Sequence, residues 1–149
     1  MHDALLILHS YFRWLVLLAG LVAVAKMGAG WSKNLPWTEA DRRSTVLYTV
    51  ALDVQLLLGV ALYAVSPLIR DAVRDLATAM HKPDVRPFVA DHPAAMLVAL
   101  ALAHVGSVAA KKAPADGAKF KRGAIFFGLS FAAVLWGIPW FRLFAPATH

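Results

Sequence analysis

The sequence predicts an all-α fold: a four-helix transmembrane bundle of up-down topology, with a short amphipathic helix on its outer surface between the second and third spans. Three observations predict it. The 149 residues are 60% hydrophobic with a mean hydropathy of +0.61, too apolar for an ordinary soluble domain. Four apolar segments each approach the roughly 20 residues needed to cross a bilayer. The Lys and Arg residues gather at the ends of those segments rather than along one face. A single membrane domain over residues 1–149 is the natural bound.

The first span runs from about Ala4 to Ala25. Only His2 and Asp3 separate it from Met1, with no basic leader, so it is expected to be retained rather than cleaved as a signal peptide. The second runs from about Thr45 to Val65, and its one charged residue is Asp53. The connection after it carries Leu68, Ile69, Ala72, Val73, Leu76 and Met80 at three- and four-residue spacing. That pattern predicts an amphipathic helix over about 68–80, opened by Ser66-Pro67 and closed before Lys82-Pro83, either packed on the bundle as a lid or offered to a periplasmic donor or larger complex. The third span runs from about Pro93 to Ala110, with Asp91 placed to cap it. The fourth runs from about Gly123 to Leu143.

Charge sets the expected orientation. The first and third connections hold Lys26, Lys33, Arg42, Arg43, Lys111, Lys112, Lys119, Lys121 and Arg122, against Glu39, Asp41 and Asp116. The other side holds Arg13, Arg70, Arg74, Lys82, Arg86 and Arg142 with five acids. The positive-inside rule then puts both termini in the periplasm, for a multi-pass protein of a bacterial inner membrane. A net charge of +6 distributed in this way does not suggest nucleic acid, because no basic recognition motif accompanies it. The absence of cysteine removes disulfides, iron–sulfur clusters and covalently attached haem.

Function is sought in the histidines. Ionisable side chains at membrane depth are costly and mark a cofactor, a proton path or a protein contact. His9 and His92 stand at similar depth near the outer surface on two helices that both run inward. Two imidazoles facing each other in a bundle are a geometry that haem b uses. Arg13 and Gly20 share the His9 face, one as a propionate partner and the other as a place for a porphyrin edge against the backbone. His104 lies twelve residues beyond His92, turned by roughly 120° at about 100° per residue, so the two rings address different neighbours. Asp53 reaches the level of His104. The plainer readings are a His9 hydrogen-bonded to a neighbouring helix, a His104 bonded to Asp53 or Gln55, and a snorkelling Arg13. Trp14, Trp31, Trp37, Trp136 and Trp140 read mainly as interfacial belt residues.

These motifs also carry a resemblance. Leu8-His9-Ser10, Arg13-Trp14, Gln55-Leu56-Leu57-Leu58-Gly59, Leu62-Tyr63 with Ser66-Pro67, Asp91-His92-Pro93, Ala103-His104-Val105-Gly106, Lys111-Lys112 to Asp116 and Lys119, and Gly137-Ile138-Pro139-Trp140 resemble the small four-helix bacterial membrane proteins labelled cytochrome b. The likeness spans nearly the whole chain. It implies haem binding, with His9, His92 and His104 as inward-facing histidines and metal ligands, and leaves the reaction open. The chain departs from the family pattern at Asp53, two residues ahead of the glutamine, where the pattern carries a histidine. The outer pair is therefore the expected ligand set.

The expected function is electron transfer through haem b between a membrane quinol pool and a periplasmic or complex-bound acceptor. His104 with Asp53 would form a second site or a proton-handling pair beside a quinone. The competing expectation is a cofactor-free accessory subunit of a larger respiratory or photosynthetic complex. A small transporter is weaker, because the chain has no inverted repeat.

Overall fold

The computed structural model describes residues 1–141, and within them the chain is helical, with α1 over His2–Ser32, α2 over Glu39–Val65, α3 over Pro67–Arg74, α4 over Leu76–His81, α5 over His92–Lys111 and α6 over Asp116–Gly137. A single π-helical turn, Pro87–Asp91, leads into α5. Four helical segments are long and apolar enough to cross a membrane: α1, α2, Pro87–Lys111 and α6. A lipid bilayer is the environment such surfaces suit.

The helices outrun their apolar cores, and local chemistry shows why. α1 continues past Ala25 to Ser32 and stops in a Schellman arrangement, in which Asn34 adopts a left-handed φ of 51° and the Leu35 amide donates to the Gly30 carbonyl at 3.1 Å. α2 starts at Glu39 rather than Thr45, because Thr38 and Asp41 form a reciprocal capping box. Asp41 also accepts from Lys26 at 3.0 Å, tying α2 to α1. The Trp37 amide donates to Asp116 at 3.0 Å and ties the same connection to the start of α6. α6 ends at Gly137, since Ile138 precedes Pro139 and takes an extended conformation. The expected end of the fourth span at Leu143 lies outside the described residues, as does Arg142.

The amphipathic segment divides into α3 and α4 at Asp75, whose backbone leaves the helical region and whose carboxylate accepts from the Thr78 amide at 3.1 Å. Ser66 caps α3, with Pro67 in its first turn. Ile69, Ala72, Ala79 and Val89 are buried together beside Tyr63, Met80 and Phe88. Val73 and Leu76, from the same stripe, stay exposed. The segment is a half-docked cover.

α5 packs most extensively on α6 and α1 on α2, α1 also lies along α6, and the α2–α5 seam is the sparsest of the four. Tyr48, Phe120, Phe127 and Met27 fill the core. Through it runs a polar thread: Tyr48 and Ser130 hydroxyls meet at 3.0 Å, and Ser130 donates to the Ala99 carbonyl at 2.7 Å. One thread thus joins α2, α6 and α5, each buried hydroxyl meeting the partner that low polarity demands.

Candidate functional site

The π turn sets up the site. By widening the backbone over Pro87–Asp91, it delivers His92 at the first position of α5 with its ring turned inward across α6. Asp91 is the last residue of that turn rather than a side-chain cap, and its carboxylate pairs with Arg86 at 3.3 Å. His92 Nδ1 lies 2.9 Å from the Gly137 carbonyl oxygen. A carbonyl only accepts, so Nδ1 carries the proton and Nε2 keeps its lone pair.

His9 of α1 faces that ring. The ring centroids are 6.1 Å apart and the planes meet at 82°. Gln55, the only glutamine in the chain, is buried on α2 and donates through Nε2 to the His9 carbonyl at 3.0 Å. The same amide nitrogen approaches His9 Nε2 at 3.3 Å. An amide nitrogen donates, so His9 Nε2 accepts and Nδ1 holds the proton. Gly59 lies one turn further along α2, where a Cβ would stand 3.3 Å from His9 Cε1. The ring rests against bare backbone.

Three buried polar atoms in this region have no partner: His9 Nδ1, Gln55 Oε1 and Arg13 Nε. Buried polar groups are nearly always hydrogen-bonded, and leaving one unmet costs about 1–3 kcal/mol. Three orphans within one turn of two imidazoles mark a polar site rather than ordinary core. Arg13 is four residues beyond His9, and its guanidinium lies over the Trp14 ring at 5.6 Å from the centroid.

Gly20 belongs to a different environment. It is buried, and a Cβ there would stand 2.6 Å from Phe131 and 2.8 Å from Tyr48. Those rings occupy the face expected to receive a porphyrin edge, so Gly20 serves the contact of α1 with α6 and α2.

The inner residues form a separate pair. His104 Nε2 lies 2.9 Å from Asp53 Oδ1, joining α5 to α2 as expected. A Thr49–Ser107 hydroxyl contact at 3.1 Å runs beside it in the same seam. Neither member is deep in the protein: the His104 side chain is 54% exposed and that of Asp53 41%. The expected partnership therefore holds, but it lies at the lateral surface of the helices rather than in their interior. His104 does not join His9 and His92, and the described residues hold no cluster of three or more His, Cys, Asp or Glu side chains placed for a metal ion.

Gln55, expected as an alternative partner of His104, instead bonds His9, and Gly59 and the Gly137 carbonyl are site groups that the sequence does not single out. A lone glutamine in an apolar run, with a glycine at i+4 on the same helix face, was the available signal for Gln55 and Gly59. A carbonyl at a helix end has no signature in sequence. Compared with known proteins, the chain matches no family model, no curated protein and no solved structure.

Proposed function

We propose that the chain is a b-type cytochrome-like electron-transfer protein of a bacterial inner membrane, an up-and-down four-helix bundle with α3 and α4 on its periplasmic surface and haem b held by His9 and His92. The observation that carries this reading is the imidazole pair. The two rings turn toward each other from different helices, with centroids 6.1 Å apart and planes at 82°, and together would hold haem b. Among the described residues no third His, Cys, Asp or Glu joins them, and two imidazoles are a donor set that would suit haem.

Each residue has a definable task. The Gly137 carbonyl fixes the tautomer and rotation of His92 so that Nε2 is the free donor. Gln55 holds the α1 backbone at His9 through its 3.0 Å bond to the carbonyl. Arg13 supplies a positive charge beside both rings, with a buried Nε free to meet a propionate. Haem would supply reversible one-electron chemistry at the pair. A quinol that loses electrons also loses protons, and the Asp53–His104 pair is a hydrogen-bonded acid and base able to take one. The Lys and Arg asymmetry supports periplasmic termini, and with them a periplasmic or complex-bound electron partner.

A second reading, a cofactor-free accessory subunit, draws on one specific observation: Gln55 already reaches His9 Nε2. The absorption spectrum of the purified protein, with and without dithionite, separates the two. Low-spin bis-histidine bands are expected. Colourless protein from haem-replete cells would leave the accessory-subunit reading.

A further inference from the structure

We propose that the outer face of α2 and α5, centred on the Asp53–His104 pair, docks against the same face of a second copy of this chain, forming a two-fold dimer within the bilayer. The inference rests on the bundle spanning the membrane and is independent of haem.

The pair's place is unusual for polar side chains. Asp53 stands midway along α2 and His104 past the middle of α5, so a spanning bundle carries them inside the hydrocarbon layer. Polar side chains at that depth normally turn to the protein interior or to water. These two are 41% and 54% exposed, at the outer edge of the sparsest helix seam.

Their surroundings are shaped for another helix. On α2, Val46, Val50, Asp53, Leu57 and Val60 recur at spacings of four, three, four and three residues, and the four apolar members are 41–69% exposed. On α5, Leu97, Ala101, His104 and Val108 follow the same rhythm, and all face outward. That alternation is the signature of helices that meet along a seam, and a polar residue within it sets register.

The occupant follows from complementarity. Copies inserted in one orientation bring the same residues to the same depth, related by an axis along the membrane normal. Among the described residues, neither His104 Nδ1 nor Asp53 Oδ2 has a partner. Each copy thus presents one unpartnered imidazole nitrogen and one unpartnered carboxylate oxygen, two atoms that can share a proton. The two-fold sets each imidazole nitrogen against the other copy's carboxylate oxygen, so that all four groups meet a partner. Lipid tails satisfy none of them, and an unrelated helix needs a matching pair of its own.

Because the chain has no cysteine, single-cysteine variants report the interface without background. Leu57→Cys and Ala101→Cys probe the face, while Leu18→Cys on α1 and Leu129→Cys on α6 are exposed controls. All are oxidised in carbonate-washed membranes, which retain the chain only if it spans. Loss of the chain in that wash overturns the spanning premise, and the dimer with it. Disulfide-linked dimer is expected at least tenfold above the controls for Leu57→Cys and Ala101→Cys. Adding Asp53→Leu should bring the yield to control level, and exchanging the pair, Asp53→His with His104→Asp, should keep it. Equal yields at all four positions, a higher yield at a control position, or an undiminished yield beside Asp53→Leu would overturn the dimer and leave lipid or another protein on this face.

Discussion

Two histidine sites on one small bundle use the same imidazole in opposite ways. At the outer site His9 and His92 turn inward, ring to ring at 6.1 Å, among three buried polar atoms without partners. At the inner site His104 has its partner, Asp53 at 2.9 Å, and both side chains are largely uncovered. The first has unmet hydrogen-bonding capacity inside the protein, the second outside it. Yet they are close: Gln55, which serves His9, is only two residues from Asp53. Two residues along a helix turn a side chain by about 200°, enough to send Gln55 into the bundle and Asp53 to its surface. Which face a residue occupies, more than its chemistry or depth, separates the inward-turned site from the outward-turned one here.

The largest expected effect tests that division directly. His9→Ala and His92→Ala should each abolish the haem absorption of the purified protein, whereas His104→Ala should leave it intact. A spectrum that survives His92→Ala, or disappears with His104→Ala, reverses the two roles. Asp53→His then asks whether a second histidine pair is enough to make a second site. Because the inner pair is uncovered, haem per chain should stay the same, and a doubling measured by pyridine haemochrome would break the comparison.

Packing changes come next. Gly20→Val inserts side-chain atoms where Phe131 and Tyr48 already sit, so overpacking should destabilise the bundle by about 1–3 kcal/mol in a detergent unfolding assay. Full stability would show that α1 can shift away from α6. Gln55→Leu removes the link between α2 and the His9 backbone, and interhelical bonds of this kind average about 0.6 kcal/mol and reach about 1.7. It should also move the haem reduction potential by loosening the α1 backbone that carries His9. Thr49→Val, in the inner seam, should leave that potential unchanged.

The smallest effect lies outside the membrane-spanning segments. The bonds from Thr78 to Asp75 hold that carboxyl below the usual carboxylate range. A depressed folded-state pKa contributes stability above the ordinary value and loses it as pH falls through the folded one. Amide protection in α4, corrected for the pH dependence of intrinsic exchange, should therefore fall on acidification below about pH 4, and Asp75→Asn should flatten that dependence. An unaltered profile in Asp75→Asn would remove the cap from the account of α4.

Much of this was legible in residues alone. Hydropathy located four long helices, and counting along α2 and α5 put Asp53 level with His104. Twelve residues at the helical period separated the azimuths of His92 and His104, and the structure turns one toward Gly137 and the other toward Asp53. The helix ends lie beyond the apolar segments because hydropathy reports the apolar core, whereas capping by Thr38 and the left-handed Asn34 decide where the backbone stops. Gln55 is paired with the wrong histidine in the sequence, His104 rather than His9, because the rotation of α2 between two histidine-bearing helices is set by tertiary packing.

Sequence by itself determined the class of fold, the number of long apolar helices, and the relative depth and azimuth of residues on any one helix, because each follows from composition and a fixed 3.6-residue period. Tertiary structure alone decided how each helix is rotated about its own axis. That rotation is set by contacts such as Phe131 against Gly20 and Tyr48 against Ser130, between residues far apart in the chain. It places His9 and His92 ring to ring, and leaves Asp53 and His104 facing out.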